Sequence, residues 1–179
     1  KLSAIESKEY IKQIRYLPKL VGDTLELCKE SIKKTAVASS LTPSCTFLGR
    51  QYMYPIAIEG ALKLKELCYI STHGYPTGEL KHGPIAHMCP MYFFIAPEQG
   101  LRDKNITAMK EIKSRKGRII LVKQRGQKIP EDCYDYLIEI PKAKDYILPI
   151  LAAVPIQLFA LYLAEIKGYN VDKPRNLAK

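Results

Sequence analysis

Closely spaced cysteines are missing from this sequence. Its five cysteines, at positions 28, 45, 68, 89 and 133, are far apart and form no CxxC motif, so neither a zinc site nor a disulfide framework is indicated. The three histidines, His73, His82 and His87, also match no zinc-binding spacing. We therefore expect no metal site, and scattered free thiols fit a reducing cytoplasm.

Several motifs that identify enzymes are also missing. The chain has no glycine-rich dinucleotide fingerprint, no Walker phosphate loop and no GxSxG elbow, so the corresponding reaction classes lose their main support. It begins at Lys1 without an initiator Met or a charged-then-apolar leader, which leads us to expect a piece of a longer protein. With 179 residues, 47% of them hydrophobic, residues 1–179 are long enough to form one domain with a sizeable core.

Acidic residues are scarce in the middle of the chain. Residues 101–128 contain ten Lys or Arg against only Asp103 and Glu111, within a chain of formal net charge +10. This stretch contains no Phe, Tyr or Trp, and nucleic-acid binding would require stacking residues or a recognised reading motif. We interpret it as the solvated face of a helix and its loop and expect no nucleic-acid partner. An acidic small substrate or an acidic neighbour remains compatible with it.

Apolar periodicity predicts alternating helices and strands. Residues 5–39 have a helical pattern that we expect to break near Pro18, and residues 54–69 predict a helix with Pro55 in its first turn. Apolar runs of strand length occur at residues 44–50, 91–97, 117–123 and 134–141, with a weaker candidate at 70–75. The pattern predicts an α/β fold in which helices cover both faces of a parallel sheet of about five strands.

The segment 147–164 has no charged residue, which approaches the length needed to cross a bilayer. Pro149, Pro155 and Gln157 argue against a membrane span, and a helix that is apolar all round is also expected when it is sandwiched inside a protein. We therefore favour a buried helix. Gly168 would lie just beyond its end, followed by an extended tail.

Three charged residues of the helix 54–69 share one narrow stripe. At 100° per residue, Glu59, Lys63 and Glu66 lie within roughly 60° of one another, and we expect the stripe to face a cleft or an interface. A Lys beside a carboxylate in a partly dry cleft can keep that carboxylate ionised and ready to move a proton. The alternative is an ordinary solvated pair four residues apart, and spacing alone does not choose between them.

Two further candidates depend more strongly on context. His82 lies in the glycine-bounded run GELKHGP at 78–84 and could act as a general acid or base near neutral pH, although a surface histidine is the alternative; His87 is more typical of a packing residue. Lys179 ends the chain, where a solvated lysine is expected unless burial or neighbouring positive charge lowers its pKa enough for nucleophilic attack.

Four strings, taken together and in order, resemble a known family. They are FLGR at 47–50, YPIAIEGALKLKE at 54–66, GELKHGP at 78–84 and VDKPRNLAK at 171–179. They resemble the C-terminal sugar-isomerase (SIS) domain of the isomerising glutamine:fructose 6-phosphate amidotransferases, the glucosamine 6-phosphate synthases. The resemblance implies a SIS-type three-layer sandwich, with residues 1–40 as a helical lead-in, 44–166 as the α/β core and 167–179 as an extended catalytic tail.

The resemblance also implies roles for individual residues. Lys179 would form a Schiff base with the C2 ketone of open-chain fructose 6-phosphate, while Glu66 would move a proton between C1 and C2. Lys63 would assist as relay and charge partner, and His82 would open the sugar ring from a neighbouring subunit. In the tail, Ala178 would line the sugar site, and Arg175 and Asn176 would help to organise the passage for ammonia. No metal or organic cofactor is implied.

The family's other parts are expected to lie elsewhere in a longer chain. Its members have a glutaminase domain and a first SIS copy, whose Ser/Thr-rich loop holds the sugar phosphate, and act as homodimers. We find no such loop here, and Gln51 follows FLGR where relatives often have glycine. The fragment is therefore expected to be inactive alone. A non-catalytic sugar-phosphate-binding or dimerisation SIS module is the alternative.

Overall fold

Helices and strands alternate along the chain, as the apolar periodicity predicts. The structure is a computed structural model and describes residues 3–87 and 89–175. Within these residues the α-helices are Ala4–Ala38 (α1), Met53–Cys68 (α2), Arg102–Lys113 (α3) and Leu148–Ile166 (α4). The strands are Ser44–Gly49 (β1), Ser71–Pro76 (β2), Met91–Ile95 (β3), Arg118–Gln124 (β4) and Tyr136–Ile140 (β5). Short 3-10 helices span Thr77–His82, Pro84–His87 and Glu131–Cys133.

The five strands form one parallel sheet in the order β2-β1-β3-β4-β5. The weaker strand candidate at 70–75 is confirmed as β2. After β1 the chain first adds β2 on one side and then returns to place β3 on the other. The carboxyl ends of β1 and β3, where Gly49 is paired with Ile95, therefore form the switch point at which open α/β sheets tend to bind ligands.

Helices cover both faces of the sheet. One apolar core joins α1, α2 and α4 to the sheet, and a second core on the opposite face contains α3. The first core includes three aromatic rings in contact. Phe93 stacks on Phe47 with the ring centroids 5.0 Å apart, and it meets Phe159 edge to face with the centroids 5.2 Å apart. The predicted three-layer α/β sandwich is confirmed.

The first helix differs from the prediction. It runs without a break from Ala4 to Ala38 with Pro18 inside it, so the expected interruption is wrong. Pro18 lies on the exposed side of α1, where water can bind the Ile14 carbonyl that the missing N–H leaves unpaired. The first half of the helix is largely uncovered, since Ile5 is 82% exposed and Ile14 is 59% exposed.

The apolar helix α4 packs inside the sandwich. It is long and apolar enough to cross a membrane, and 44% of its most apolar window is buried within the described chain. Leu151, Phe159 and Leu163 are almost fully buried, and they belong to the core shared with α1 and α2. Gly168 adopts a left-handed φ of +72° just after the helix, as expected for a residue beyond a helix end.

The basic stretch is only partly a solvated face. Lys104, Lys110 and Arg115 are exposed on and just after α3, as predicted. Lys123 instead lies in β4, where it is 7% exposed and its Nζ is 2.6 Å from Glu139 Oε1 on β5. The interpretation was wrong for Lys123 because the stretch continues past the loop into a strand of the sheet.

Two helical glycines provide a test of how tightly α2 packs. A Cβ built on Gly60 would lie 2.5 Å from Phe47 and 2.8 Å from Ile156, whereas one on Gly22 in α1 has no neighbour within 4 Å. Gly60→Ala is therefore expected to lower the free energy of unfolding by about 1–3 kcal/mol. Gly22→Ala should raise it by about 0.4–1 kcal/mol. Urea denaturation of both variants measures the difference, and equal effects would contradict this packing.

Candidate functional site

The charged stripe of α2 is present as predicted. Lys63 Nζ lies 2.6 Å from Glu66 Oε2 and 4.0 Å from Glu59 Oε1. The three side chains are 24–34% exposed. One ammonium thus lies between two half-buried carboxylates and donates a hydrogen bond to Glu66.

The packing of α2 determines where the stripe faces. The helix buries Ala57, Gly60 and Leu64 against the rest of the sandwich, so the stripe lies toward the opposite side. Beside it are Ile58 and Leu62, which are 45% and 43% exposed. The charged stripe and these apolar side chains together form an uncovered face, and a neighbouring surface is needed to enclose Glu66.

His82 lies at a different place in the fold. It ends the 3-10 helix Thr77–His82, which follows β2, and its side chain is exposed. Within residues 3–87 and 89–175, no hydrogen bond or ion pair joins His82 to Lys63 or Glu66. The structure therefore does not bring these candidates together within one chain. The side chain of His87 lies outside the description.

The tail returns to the end of α2. The backbone N–H of Arg175 donates to the Tyr69 hydroxyl at 2.9 Å, and the Arg175 guanidinium lies 4.3 Å from the centre of the Tyr69 ring. Tyr69 caps α2 in a left-handed conformation, three residues after Glu66. The tail is thus anchored about one turn of helix from Glu66. Asn176, Ala178 and Lys179 lie outside the described residues.

A polar network that the sequence analysis missed lies at the switch point. Arg50, directly after β1, donates through Nε to Asn105 Oδ1 at 3.0 Å, and Asn105 Nδ2 donates to Glu98 Oε1 at 3.0 Å. Glu98 is only 8% exposed and its Oε2 has no hydrogen-bond partner within the described chain. Burial raises the pKa of Glu98 to about 7, although the hydrogen bond from Asn105 and the charge of Arg50 oppose the shift. The sequence offered one signal for this network, because Glu98 is a carboxylate that comes soon after the apolar run of β3.

This raised pKa predicts a pH-dependent stability. Because the pKa of Glu98 rises from an ordinary 4.5 to about 7 on folding, the folded chain holds a proton that the unfolded chain releases between these pH values. Stability from this group is therefore complete below pH 4.5 and is lost as the pH rises to 7, by about 3 kcal/mol. Glu98→Gln should remove this loss.

Urea denaturation at pH 5 and pH 8 measures the effect, with Glu131→Gln, at an exposed position, as the matched control. The fall in the free energy of unfolding between the two pH values should be smaller in Glu98→Gln than in the original chain or the control. An unchanged fall in Glu98→Gln would show that Glu98 ionises normally in the folded chain.

This parallel α/β sandwich, with a charged helix and a tail that returns to it, matches a known protein family. The chain belongs to the SIS domain family, which matches residues 43–167. It is 44% identical over 99% of its length to the glutamine--fructose-6-phosphate aminotransferase [isomerizing] of Aquifex aeolicus, and 40% identical over 98% to that of Bacteroides thetaiotaomicron. It spans only 31% and 29% of these two relatives.

Solved structures agree with this assignment. The C-terminal domain of glucosamine-fructose-6-phosphate aminotransferase from Francisella tularensis aligns with a TM-score of 0.88 and 34% identity, covering 95% of this chain and 48% of that one. A structure described as a putative tagatose-6-phosphate ketose/aldose isomerase from Clostridium novyi aligns with a TM-score of 0.78 at 23% identity, covering 92% of this chain and 45% of that one, and so supports the fold alone. The predicted family resemblance is confirmed.

Proposed function

We propose that this chain is the C-terminal SIS domain of an isomerising glutamine–fructose-6-phosphate aminotransferase and that α2 supplies its acid–base group. The observation that carries the proposal is the Lys63–Glu66 contact of 2.6 Å on the uncovered face of α2, at the end of the helix to which the tail returns. The similarity to full-length aminotransferases over nearly the whole chain supports the same assignment.

The reaction needs one base that serves two adjacent carbons. In the proposed sequence, the Lys179 amine attacks the C2 ketone of fructose 6-phosphate and water leaves as the imine forms, after which ammonia displaces the lysine. Glu66 then removes a proton from C1 and delivers it to C2. The C1 hydroxyl loses its proton and the C2 imine nitrogen gains one, so that C1 becomes the aldehyde and C2 carries the amine of glucosamine 6-phosphate. Lys63 donates a hydrogen bond to Glu66 at 2.6 Å and so holds the carboxylate in position.

The proposed assembly is a homodimer in the cytoplasm. His82 is exposed and has no contact with the stripe among the described residues, which supports a role in a neighbouring subunit, where it would open the sugar ring. All five cysteines are free and buried, as suits a reducing compartment. Arg175 and Asn176 would border the ammonia passage, and Ala178 would line the sugar site.

The proposed activity requires further domains. At the switch point, where a ligand would be expected, Arg50, Asn105 and the buried Glu98 occupy the carboxyl ends of β1 and β3. This supports the expectation that the phosphate cradle belongs to another SIS domain, and that a glutaminase domain supplies the ammonia. The 179-residue chain alone would then be inactive.

Borohydride trapping tests the proposal. The full-length protein that carries this domain would be mixed with fructose 6-phosphate and borohydride, and peptide mass spectrometry should find the reduced sugar adduct on Lys179. Lys179→Arg should abolish the adduct, whereas Lys173→Arg in the same tail should leave it. Fructose 6-phosphate binding without any adduct would instead favour the non-catalytic SIS module.

A further inference from the structure

The tail makes a turn after α4. Tyr169 and Val171 pack against the core shared by α1, α2 and α4. Between them, the side-chain oxygen of Asn170 accepts hydrogen bonds from the backbone N–H groups of Asp172 and Lys173 at 2.9 and 3.0 Å. After this turn the chain returns to the end of α2.

Two tyrosine rings hold Arg175 at this point. Its guanidinium lies 4.3 Å from the ring centre of Tyr69 and 5.9 Å from that of Tyr169, distances at which a cation is attracted to an aromatic ring. The two rings meet edge to face with their centroids 5.0 Å apart. The backbone N–H of Arg175 also donates to the Tyr69 hydroxyl at 2.9 Å. Tyr69, Tyr169 and Arg175 thus form one cluster, which we call the tail clamp.

The backbone of Tyr69 adds a second observation. Tyr69 ends α2 with φ 55° and ψ 33°, in the left-handed region. Glycine is the residue usually found in this conformation after a helix, because a Cβ is disfavoured there. Such strain persists where the surrounding contacts require it. Within the described chain, the hydrogen bond and the ring contacts of the Tyr69 side chain are made with the tail.

The clamp limits the distance between the end of the chain and α2. Lys179 is four residues beyond Arg175, and a fully extended chain spans at most ~3.6 Å per residue, so the two Cα atoms can be no more than about 14 Å apart. Without the clamp, the last contact with the core would be that of Val171, eight residues before Lys179. The limit would then be about 29 Å, and Lys179 would have a much larger volume in which to move.

We propose that Tyr69 and Tyr169 are positioning residues, which hold the tail so that Lys179 meets the substrate beside Glu66. Tyr69 follows Glu66 by three residues, which is a rise of about 4.5 Å along the helix axis. The clamp would therefore bring the nucleophile to the base, although the two come from distant parts of the chain. This inference rests on the proposed function, because it concerns the lysine that would form the imine.

Borohydride trapping in the full-length protein measures the effect of the clamp. The effective concentration of a tethered group falls roughly as the −3/2 power of the tether length, so a tether of eight residues in place of four should slow adduct formation on Lys179 about threefold. Tyr69→Gly should show at least this loss at saturating fructose 6-phosphate. Glycine suits the left-handed backbone, so this variant keeps the end of α2 and loses only the side chain.

Two further variants show whether the ring of Tyr69 is responsible. Tyr69→Phe keeps a ring beneath Arg175 and should restore most of the trapping rate. Lys116→Gly, at another left-handed position with φ 63°, is the matched control and should leave the rate unchanged. Equal trapping rates in Tyr69→Gly and the unsubstituted protein would overturn the positioning role.

A double-mutant cycle separates positioning from general damage to the protein. Arg175→Leu should slow trapping to a similar extent as Tyr69→Gly, because each change removes the same contact. The variant that carries both changes should then be no slower than the slower single variant. Effects that multiply would show that the two residues act independently and would overturn the clamp.

Hydrogen exchange in the 179-residue chain tests the clamp without catalysis. The Arg175 amide donates to the Tyr69 hydroxyl, so NMR should find faster exchange of this amide in Tyr69→Phe and Tyr69→Gly than in the original chain or Lys116→Gly. Unchanged exchange would overturn the clamp. Protection of the Arg175 amide together with no Lys179 adduct in the unsubstituted full-length protein would instead overturn the proposed function, and with it the catalytic role of the clamp.

Discussion

Replacing Glu66 by Gln is expected to lower the rate of glucosamine 6-phosphate formation by about 10²–10⁴-fold in the full-length protein. The amide keeps the shape of the side chain but accepts no proton at neutral pH, so the proposed transfer between C1 and C2 would lose its base. The free energy of unfolding should change by no more than about 1 kcal/mol, because the Lys63–Glu66 pair is partly exposed and such pairs contribute little. Steady-state kinetics and urea denaturation measure the two effects.

Glu59→Gln is the matched control for this substitution. It removes a carboxylate from the same stripe, but that carboxylate lies 4.0 Å from Lys63, compared with 2.6 Å for Glu66. We expect Glu59→Gln to retain activity within about tenfold of the original protein, a loss below the usual range for removal of a catalytic base. An activity of Glu66→Gln close to that of the unsubstituted protein would exclude Glu66 as the proton-transferring group.

The largest effect on stability is expected at Phe93. Its ring is fully buried between those of Phe47 and Phe159 and joins the central strand β3 to α4. Phe93→Ala should lower the free energy of unfolding by about 3–5 kcal/mol, through lost burial and the cavity left behind. This is a large share of the total stability of a typical domain, about 5–15 kcal/mol.

Urea denaturation followed by circular dichroism measures this loss. Phe93→Leu keeps most of the volume and should destabilise less than Phe93→Ala. The leucine variant can therefore be compared with the original chain even if the alanine variant does not fold. Leu41→Ala, at a position that is 95% exposed, should stay within about 0.5 kcal/mol of the original chain. A similar loss at positions 41 and 93 would contradict the described core.

Most of the sheet could be predicted because its inner strands, β1, β3 and β4, are buried on both faces. The fully buried β3 and the nearly continuous burial of β4 appear in the sequence as uninterrupted apolar runs bounded by polar loops. The course of α1 could not be predicted in the same way. Whether Pro18 ends a helix depends on what surrounds the carbonyl that it leaves unpaired, and that exposure is a property of the packed molecule.

The candidate site was also predicted from the sequence only in part. Helical spacing was enough to place Glu66 beside Lys63, because both belong to one regular element. The network of Arg50, Glu98 and Asn105 was missed because Arg50 is far in sequence from the other two residues and meets them only through the pairing of β1 with β3. The anchoring of the tail on Tyr69 was also missed, since it depends on a left-handed residue that is not a glycine.

The length of α1 makes its stability uneven along the helix. Its 35 residues extend over about 52 Å, while its buried side chains begin only at Leu20. The first four turns therefore gain little tertiary support, and short unsupported helices are marginal in water. We expect these turns to unfold locally while the rest of the domain stays folded. Their amide protons should therefore exchange with deuterium far faster than those after Leu20.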